Sequence, residues 1–345
     1  MERLYRKLPP DVEAAAHNDV LCLKCHAPLG IHQPELKNDA VGCEACHGSS
    51  EQWRTTHYLN DWKLLDAAGK AQRGMCNTKD LVGRVEMCAK CHVGAPGMEV
   101  DHDLIAAGHP RLFFDYAAYH EILPRHWKER EEASFPAKAW AVGRLTAAHA
   151  AMELLHHRAH DASRWPELSE FNCYSCHRRL PNEVSPPTNR TLGALGANEW
   201  NLALIDVLGV DPAPVNQALQ GLASPAPKIA AAAGQLRDEL ANKIRTLSPQ
   251  QFDRAWAKEL AAKLMTKNDA ITDWDTAAQH YLALSAMDRT LGSSKQRRAT
   301  LNSLRDMLRF APGKNSPGPF HPNQYLETLR QLSWEEPSAR TEGSR

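Results

Sequence analysis

The chain has 345 residues, enough for one large or two ordinary domains, with 41 basic and 41 acidic side chains and no formal net charge. An apolar share of 43% and a charged share of 24% exclude a disordered chain, and the balanced charge excludes a polybasic nucleic-acid surface. The longest apolar run, Ile229 to Ala233, is far short of the roughly 20 residues that span a bilayer, so no transmembrane segment is expected.

In chain order, Met1 to Leu21 holds Arg3, Arg6 and Lys7 but no apolar stretch of a secretory leader. Two cysteine pairs follow, Cys22-Leu-Lys-Cys25-His26 and Cys43-Glu-Ala-Cys46-His47, then Cys88-Ala-Lys-Cys91-His92 and finally Cys173-Tyr-Ser-Cys176-His177. Each is C-x-x-C followed at once by histidine, the signature of covalent c-type haem attachment. The chemistry explains the spacing. Two thiols add across the two vinyl groups of one porphyrin, and the adjacent histidine is then held under the iron as its proximal ligand.

Zinc is the competing account, because Cys25 and Cys43 are separated by 17 residues, a zinc-like spacing. Zinc gives no reason for the trailing histidine. With histidine at about one residue in 20, four chance occurrences have a likelihood on the order of one in a hundred thousand. A thioredoxin-like pair or a disulfide framework explains the histidines no better. The expected cofactors are four c-type haems, with His26, His47, His92 and His177 as proximal iron ligands. Cys76, the ninth cysteine, reads as a buried free thiol, or alternatively as a reactive thiol or an intermolecular bridge.

Fifteen of the 17 histidines lie at or before His177, so eleven besides the four proximal ones are available as distal ligands. The candidates are His102, His109, His32, His57 and His149. Asp101 can cap a short helix over His102, and Gly108 can end it before His109, which places the two histidines seven apart on one side. A haem with histidine on both faces only exchanges electrons, whereas an open face can transform a small molecule.

Residues 22 to 177 allow about 39 residues per haem, too few for four separate cores. The porphyrins themselves are expected to form the core, wrapped by short helices and loops with little strand. One long helix is legible, roughly Ala137 to Ala162, with Ala141, Leu145, Ala148, Met152, Leu155 and Ala159 on one stripe and Trp165-Pro166 ending it. His149, His156 and His160 lie beside that stripe and share a face.

Residues 181–198 read as a linker. An all-helical region, 199–334, follows as a cap on the haem block or a docking module. It has a helix start at Ser248-Pro249 with Phe252, Trp256, Leu260 and Leu264 at steps of four. A second helix runs from about Thr272 with Trp274, Ala277, Tyr281 and Leu284 inward, and a third from Lys295 to Phe310. Pro312 to Pro322 is a loop, and residues 335–345 form a disordered tail. The fold class is therefore mainly α: a haem-cored cytochrome domain over residues 1–180, then the helical C-terminal region.

The four motifs, the short gap between the first two, and His102 ten residues beyond His92 resemble the tetrahaem cytochromes of the c-554 type, the electron acceptors of hydroxylamine oxidoreductase in nitrifying bacteria. The resemblance covers roughly residues 15 to 180. It implies a periplasmic electron carrier with stacked haem pairs, mostly histidine-ligated on both faces, and a five-coordinate second haem. By position it implies His102 for the first haem and His32 for the third. The C-terminal extension lies outside the resemblance.

The expected function is electron transfer through four haems between redox partner proteins, either as a free carrier or as a subunit of a larger redox complex or oligomer. The rival is a haem redox enzyme acting on a small nitrogen or oxygen species at one open haem. Covalent haem attachment takes place outside the bacterial cytoplasmic membrane, so a periplasmic or extracellular location and a leader upstream of this sequence are expected.

Overall fold

The computed structural model describes residues 18–128, 130–177, 194–310, 312–314, 317 and 320–334. Most of the expected linker and the whole expected tail at 335–345 lie outside the described residues. The described chain is mainly helical, with two isolated bridges, Ala95 to Met98 and Phe171 to Ala197, and no extended strand among the described residues. No helix among them is long and apolar enough to cross a membrane. The chain divides into two compact units: residues up to 124 with 141–250, and residues 125–140 with 251 onward.

In the first unit, short helices follow one another: α1 (Val20–His26), α2 (Glu44–His47), α3 (Asn60–Leu64), α4 (Ala67–Ala71), α5 (Leu81–His92), α6 (His102–Ala107) and α7 (Tyr116–Ile122). Aspartates start most of them. Asp19, Asp66, Asp80, Asp101 and Asp115 each accept a hydrogen bond from a backbone N–H in the first turn of the helix that follows, satisfying a donor that the helix itself leaves open. The long helix α8 (Phe135–His160), which belongs to the first unit from residue 141 onward and to the second before it, starts two residues before its expected place and stops short of Trp165-Pro166. All six residues of its expected stripe are buried. α9 (Cys173–Cys176) holds the last motif.

Residues 194–250 pack into this first unit. The Asn172 N–H donates to the Gly196 carbonyl (3.0 Å), and the Asn198 N–H donates to the Glu170 carbonyl (2.8 Å). The buried Arg144 guanidinium donates to the Trp200 carbonyl, and Trp200 Nε1 donates to the Phe114 carbonyl (3.1 Å). Beyond α10 (Ala213–Ala218), α11 (Ala226–Leu247) buries Ile229, Ala233, Leu236, Leu240, Ile244 and Leu247 at steps of three and four.

The second unit contains α12 (Arg254–Met265), α13 (Trp274–Leu291), α14 (Lys295–Met307) and α15 (Pro322–Leu329). The expected start at Ser248 is corrected. Ser248 is the C-cap of α11, and the next helix begins after Asp253, whose carboxylate accepts from the Trp256 N–H (2.8 Å). Leu247 is still needed in the α11 core, so the earlier helix keeps those residues. The helix expected from Thr272 begins at Trp274 with a capping box between Asp273 and Thr276. Trp274, Ala277 and Leu284 are buried as expected, and Tyr281 is half-buried.

Candidate haem-attachment centre

Each motif sits in a helical turn, which places its two cysteines and the following histidine along one short stretch of helix surface. Cys22, Cys25 and His26 lie on α1, Cys88, Cys91 and His92 end α5, and Cys173 and Cys176 lie on α9 with His177 as its C-cap. Cys43 precedes α2, which holds Cys46 and His47. All eight cysteines are free and at least partly exposed. His26, His92 and His177 are exposed, although the surrounding protein partly desolvates His26 and His92, and His47 is half-buried, so all four motifs are reachable by a large group.

The first three motifs come together. The Cys25 and Cys91 thiols share a hydrogen bond, which, with burial, holds the Cys25 proton on above the ordinary cysteine value. Cys46 is raised by burial and by the neighbouring Cys91, Cys43 and Cys76, and Cys88 is pushed up to about 11 by burial. Lys24, inside the first motif, donates to the Gly97 carbonyl just beyond the third (2.6 Å). Cys76, expected as a buried thiol, is exposed. Its N–H donates to the His47 carbonyl (2.9 Å), which fixes it at the surface beside the second motif.

Two motif histidines face another imidazole. His26 and His109 have ring centroids 6.3 Å apart with planes at 70°, and His177 and His102 have centroids 6.2 Å apart with planes at 30°. A nitrogen bound to a metal at about 2.0–2.1 Å places its ring centroid about 3.2 Å from the ion, so two imidazoles on opposite sides of one ion stand about 6.4 Å apart. Both separations fit. His109 Nδ1 lies 2.7 Å from the Pro110 carbonyl oxygen, which only accepts, so Nδ1 carries a proton and, in the neutral imidazole form, Nε2 keeps its lone pair for a metal. Burial, with His109 beside it, lowers the His26 pKa and favours the neutral imidazole that ligation requires.

This pairing differs from the one implied by resemblance, in which His102 serves the first haem. Asp101 caps α6 and Gly108 ends it in the left-handed conformation (φ 114°), as the sequence suggests. That left-handed residue turns the chain off the helix before His109. The two histidines therefore do not share a side: His102 stays on α6 beside His177, and His109 goes to His26. The His102 N–H is also held by Glu167 (2.9 Å).

His92 has a different setting. Its ring stacks on buried Phe114 (5.6 Å, 18°) and meets Tyr119 edge-on (4.9 Å). Burial lowers the His92 pKa and raises that of the Tyr119 phenol. Phe114 precedes the cap Asp115 and Tyr119 stands in the second turn of α7, with ring centroids 5.1 Å apart, a hydrophobic staple. The apolar, aspartate and aromatic spacing of that staple is the sequence signal that marks these two residues.

The remaining distal candidates are dispersed. His32 is the exposed C-cap of the 3-10 turn Pro28–Ile31. His57 is exposed, its Nδ1 placed on the Trp53 (3.1 Å) and Arg54 (3.0 Å) carbonyls, which again leaves Nε2 outward. His149 is half-buried, its pKa lowered by burial among the charged groups of Glu86, Glu153, Arg237 and Asp238.

Next to the His102 and His177 pair lies a buried ionic cluster. Arg158 donates to Glu99 (2.6 Å) and Glu170 (2.6 Å), and Arg164 donates to Glu99 (2.5 Å). Burial pushes both carboxyls up. The two arginines overcome this at Glu99, which is held below its ordinary value, while Glu170 stays raised.

No curated protein and no solved structure matches the chain. Residues 5–48, which hold the first two motifs, match the family model of cytochrome c554 and c-prime. Over that short segment the chain is similar to the c-type cytochromes of that family.

Proposed function

We propose that this chain carries electrons through four covalently bound haems between redox partner proteins, in the periplasm or outside the cell. Cys22 and Cys25, Cys43 and Cys46, Cys88 and Cys91, and Cys173 and Cys176 are the attachment pairs, and His26, His47, His92 and His177 the proximal ligands. The observation that carries the reading is the spacing of His26 from His109 and of His177 from His102, each that of two imidazoles on one metal. When bound, the haems supply one-electron exchange at iron. With haem bound, His26 with His109 and His177 with His102 would hold iron; the chain's part is to fix the His109 tautomer through the Pro110 carbonyl and to hold α6 by Asp101 and Glu167 so that His102 stays beside His177. Irons held by two imidazoles each would be saturated, which would favour electron transfer over substrate chemistry.

A second reading, a redox enzyme acting on a small nitrogen or oxygen species at one five-coordinate haem, is favoured by one observation. Among the described residues, the ring neighbours of His92 are Phe114 and Tyr119, not a second imidazole.

The test is a haem count with optical spectra of the dithionite-reduced protein before and after carbon monoxide. Four haems are expected, with those at His26 and His177 unresponsive, so that at most two of the four change. His109→Ala and His102→Ala should each add one responsive haem. A haem count of zero overturns the proposal and restores zinc. Responsive haems at His26 and His177 in the unaltered protein overturn the ligand assignment. Turnover of a small nitrogen or oxygen species at a responsive haem would favour the second reading.

A further inference from the structure

The last turns of α8 hold two histidines that the haem sites do not use. His156 and His160 are one helical turn apart, with ring centroids 4.4 Å apart and planes at 64°. His156 Nδ1 lies 2.9 Å from the carbonyl oxygen of Ala230 on α11, and His160 Nδ1 lies 2.8 Å from the carbonyl oxygen of His156. A carbonyl oxygen only accepts, so both Nδ1 atoms carry protons, and in the neutral imidazole form both Nε2 atoms keep their lone pairs. Anchoring one ring N–H on a carbonyl while the other nitrogen is left bare is the arrangement that orients metal-binding histidines.

The spacing selects a geometry. With each centroid about 3.2 Å from a bound ion, two imidazoles at a right angle about that ion have centroids about 4.5 Å apart, and at the tetrahedral angle about 5.2 Å. The observed 4.4 Å is the right-angle value. Right angles between nitrogen ligands belong to the tetragonal sites preferred by Cu²⁺ and Ni²⁺, not to tetrahedral zinc.

We propose that His156 and His160 form a two-histidine site for a divalent transition-metal ion of tetragonal preference, Cu²⁺ or Ni²⁺, with water at the remaining positions. No further histidine, cysteine or carboxylate joins them to make a three-ligand group among the described residues, so the ion stays open to exchange. His160 is exposed, which gives the ion access from solvent. Gly234 of α11 admits the His156 ring between the helices, because a Cβ there would stand 3.1 Å from Nδ1 and 3.2 Å from Cε1 of that imidazole. Gly234 is thus a positioning residue, and it acts by letting His156 reach the Ala230 carbonyl.

The test is a calorimetric titration of the oxidised, haem-loaded protein with Ni²⁺, together with the electron paramagnetic resonance spectrum of added Cu²⁺. One tight Ni²⁺ site per chain is expected, with a tetragonal Cu²⁺ signal split by two nitrogens. His156→Gln and His160→Gln should each weaken the site roughly 100-fold, since either leaves one ligand where two acted together. Gly234→Ala keeps both histidines and should weaken it about tenfold by displacing His156 from its anchoring carbonyl, with helicity checked by circular dichroism. Absence of a tight site in the unaltered protein overturns the proposal, as does unchanged binding in the His156→Gln and His160→Gln double variant. A changed haem spectrum in either single variant also overturns it, because that imidazole would then be an iron ligand.

Discussion

The two compact units differ in the large apolar side chains that they leave exposed. Those that stand exposed among the described residues, Val20, Leu21, Val41, Tyr58, Leu59, Leu64, Ile122, Leu123, Leu168 and Leu222, all belong to the unit with the four motifs. Leu64 is 85% exposed and Ile122 77%. In the other unit Leu284, Met287, Leu304 and Tyr325 are wholly buried. There three polar ends are also satisfied from within: the Tyr325 hydroxyl donates to the Ala277 carbonyl (3.0 Å), Trp274 Nε1 to the Leu308 carbonyl (3.0 Å), and Arg297 to Asp288 (2.7 Å). Full burial of one such side chain contributes about 1.5–3 kcal/mol, so the first unit leaves substantial stabilisation unused by polypeptide alone. Val20 and Leu21 flank the first motif, and Tyr58 and Leu59 follow His57. The apolar faces of the proposed haems are the surface these residues would cover.

Preventing haem attachment is the strongest way to break this comparison. With all eight motif cysteines replaced by serine, hydrogen exchange should lose protection across residues 20–124 and keep it across 254–307. Loss of protection in both would show that the second unit also depends on haem. The reverse perturbation is Leu284→Ala, which opens a cavity in the second unit and should cost about 3–4 kcal/mol in denaturant unfolding while the haem spectrum stays unchanged.

A proton sharpens the difference further. Burial lowers His280 to about 4, and its Nε2 meets the Leu264 carbonyl (2.9 Å). The folded value lies below the unfolded one, near 6.5, so the unfolded state binds the proton first as pH falls. The stability of the second unit should therefore be fully present above about pH 6.5 and decline down to about pH 4, by up to about 3 kcal/mol. His280→Asn should flatten that slope; an equally steep slope in the variant would assign it to other groups.

What could be read from the sequence follows from the range of the interactions involved. The Asp101 cap, the Gly108 stop and the buried stripe of α8 are local, because each depends on residues within a turn or on one period. The start at Ser248 failed because Asp253 offers a competing cap five residues on, and only the packing of Leu247 decides between them. The site divides the same way. The attachment motifs are contiguous and legible, but the partners of His26 and His177 lie on the far side of a left-handed turn and of 75 residues of chain, respectively. Sequence separation says nothing about which of eleven histidines closes such a gap. Phe114 and Tyr119 lay between these extremes, marked by their staple but not by any link to His92.

The smallest expected effect tests whether local capping reaches the proposed haem. Asp101 accepts from the Leu104 N–H (2.9 Å) and Glu167 from the His102 N–H (2.9 Å), so two carboxylates hold the first turn of a helix only six residues long. Asp101→Ala removes one and should cost about 1 kcal/mol, since Glu167 keeps the other. If His102 is the ligand opposite His177, that loss falls on the ligated state, and carbon monoxide should compete about five-fold better at one haem. The second unit, which shares no residue with α6, should keep its unfolding midpoint. A stability loss with no change in carbon monoxide binding would separate α6 from the iron and leave the 6.2 Å spacing of His102 and His177 a matter of packing alone.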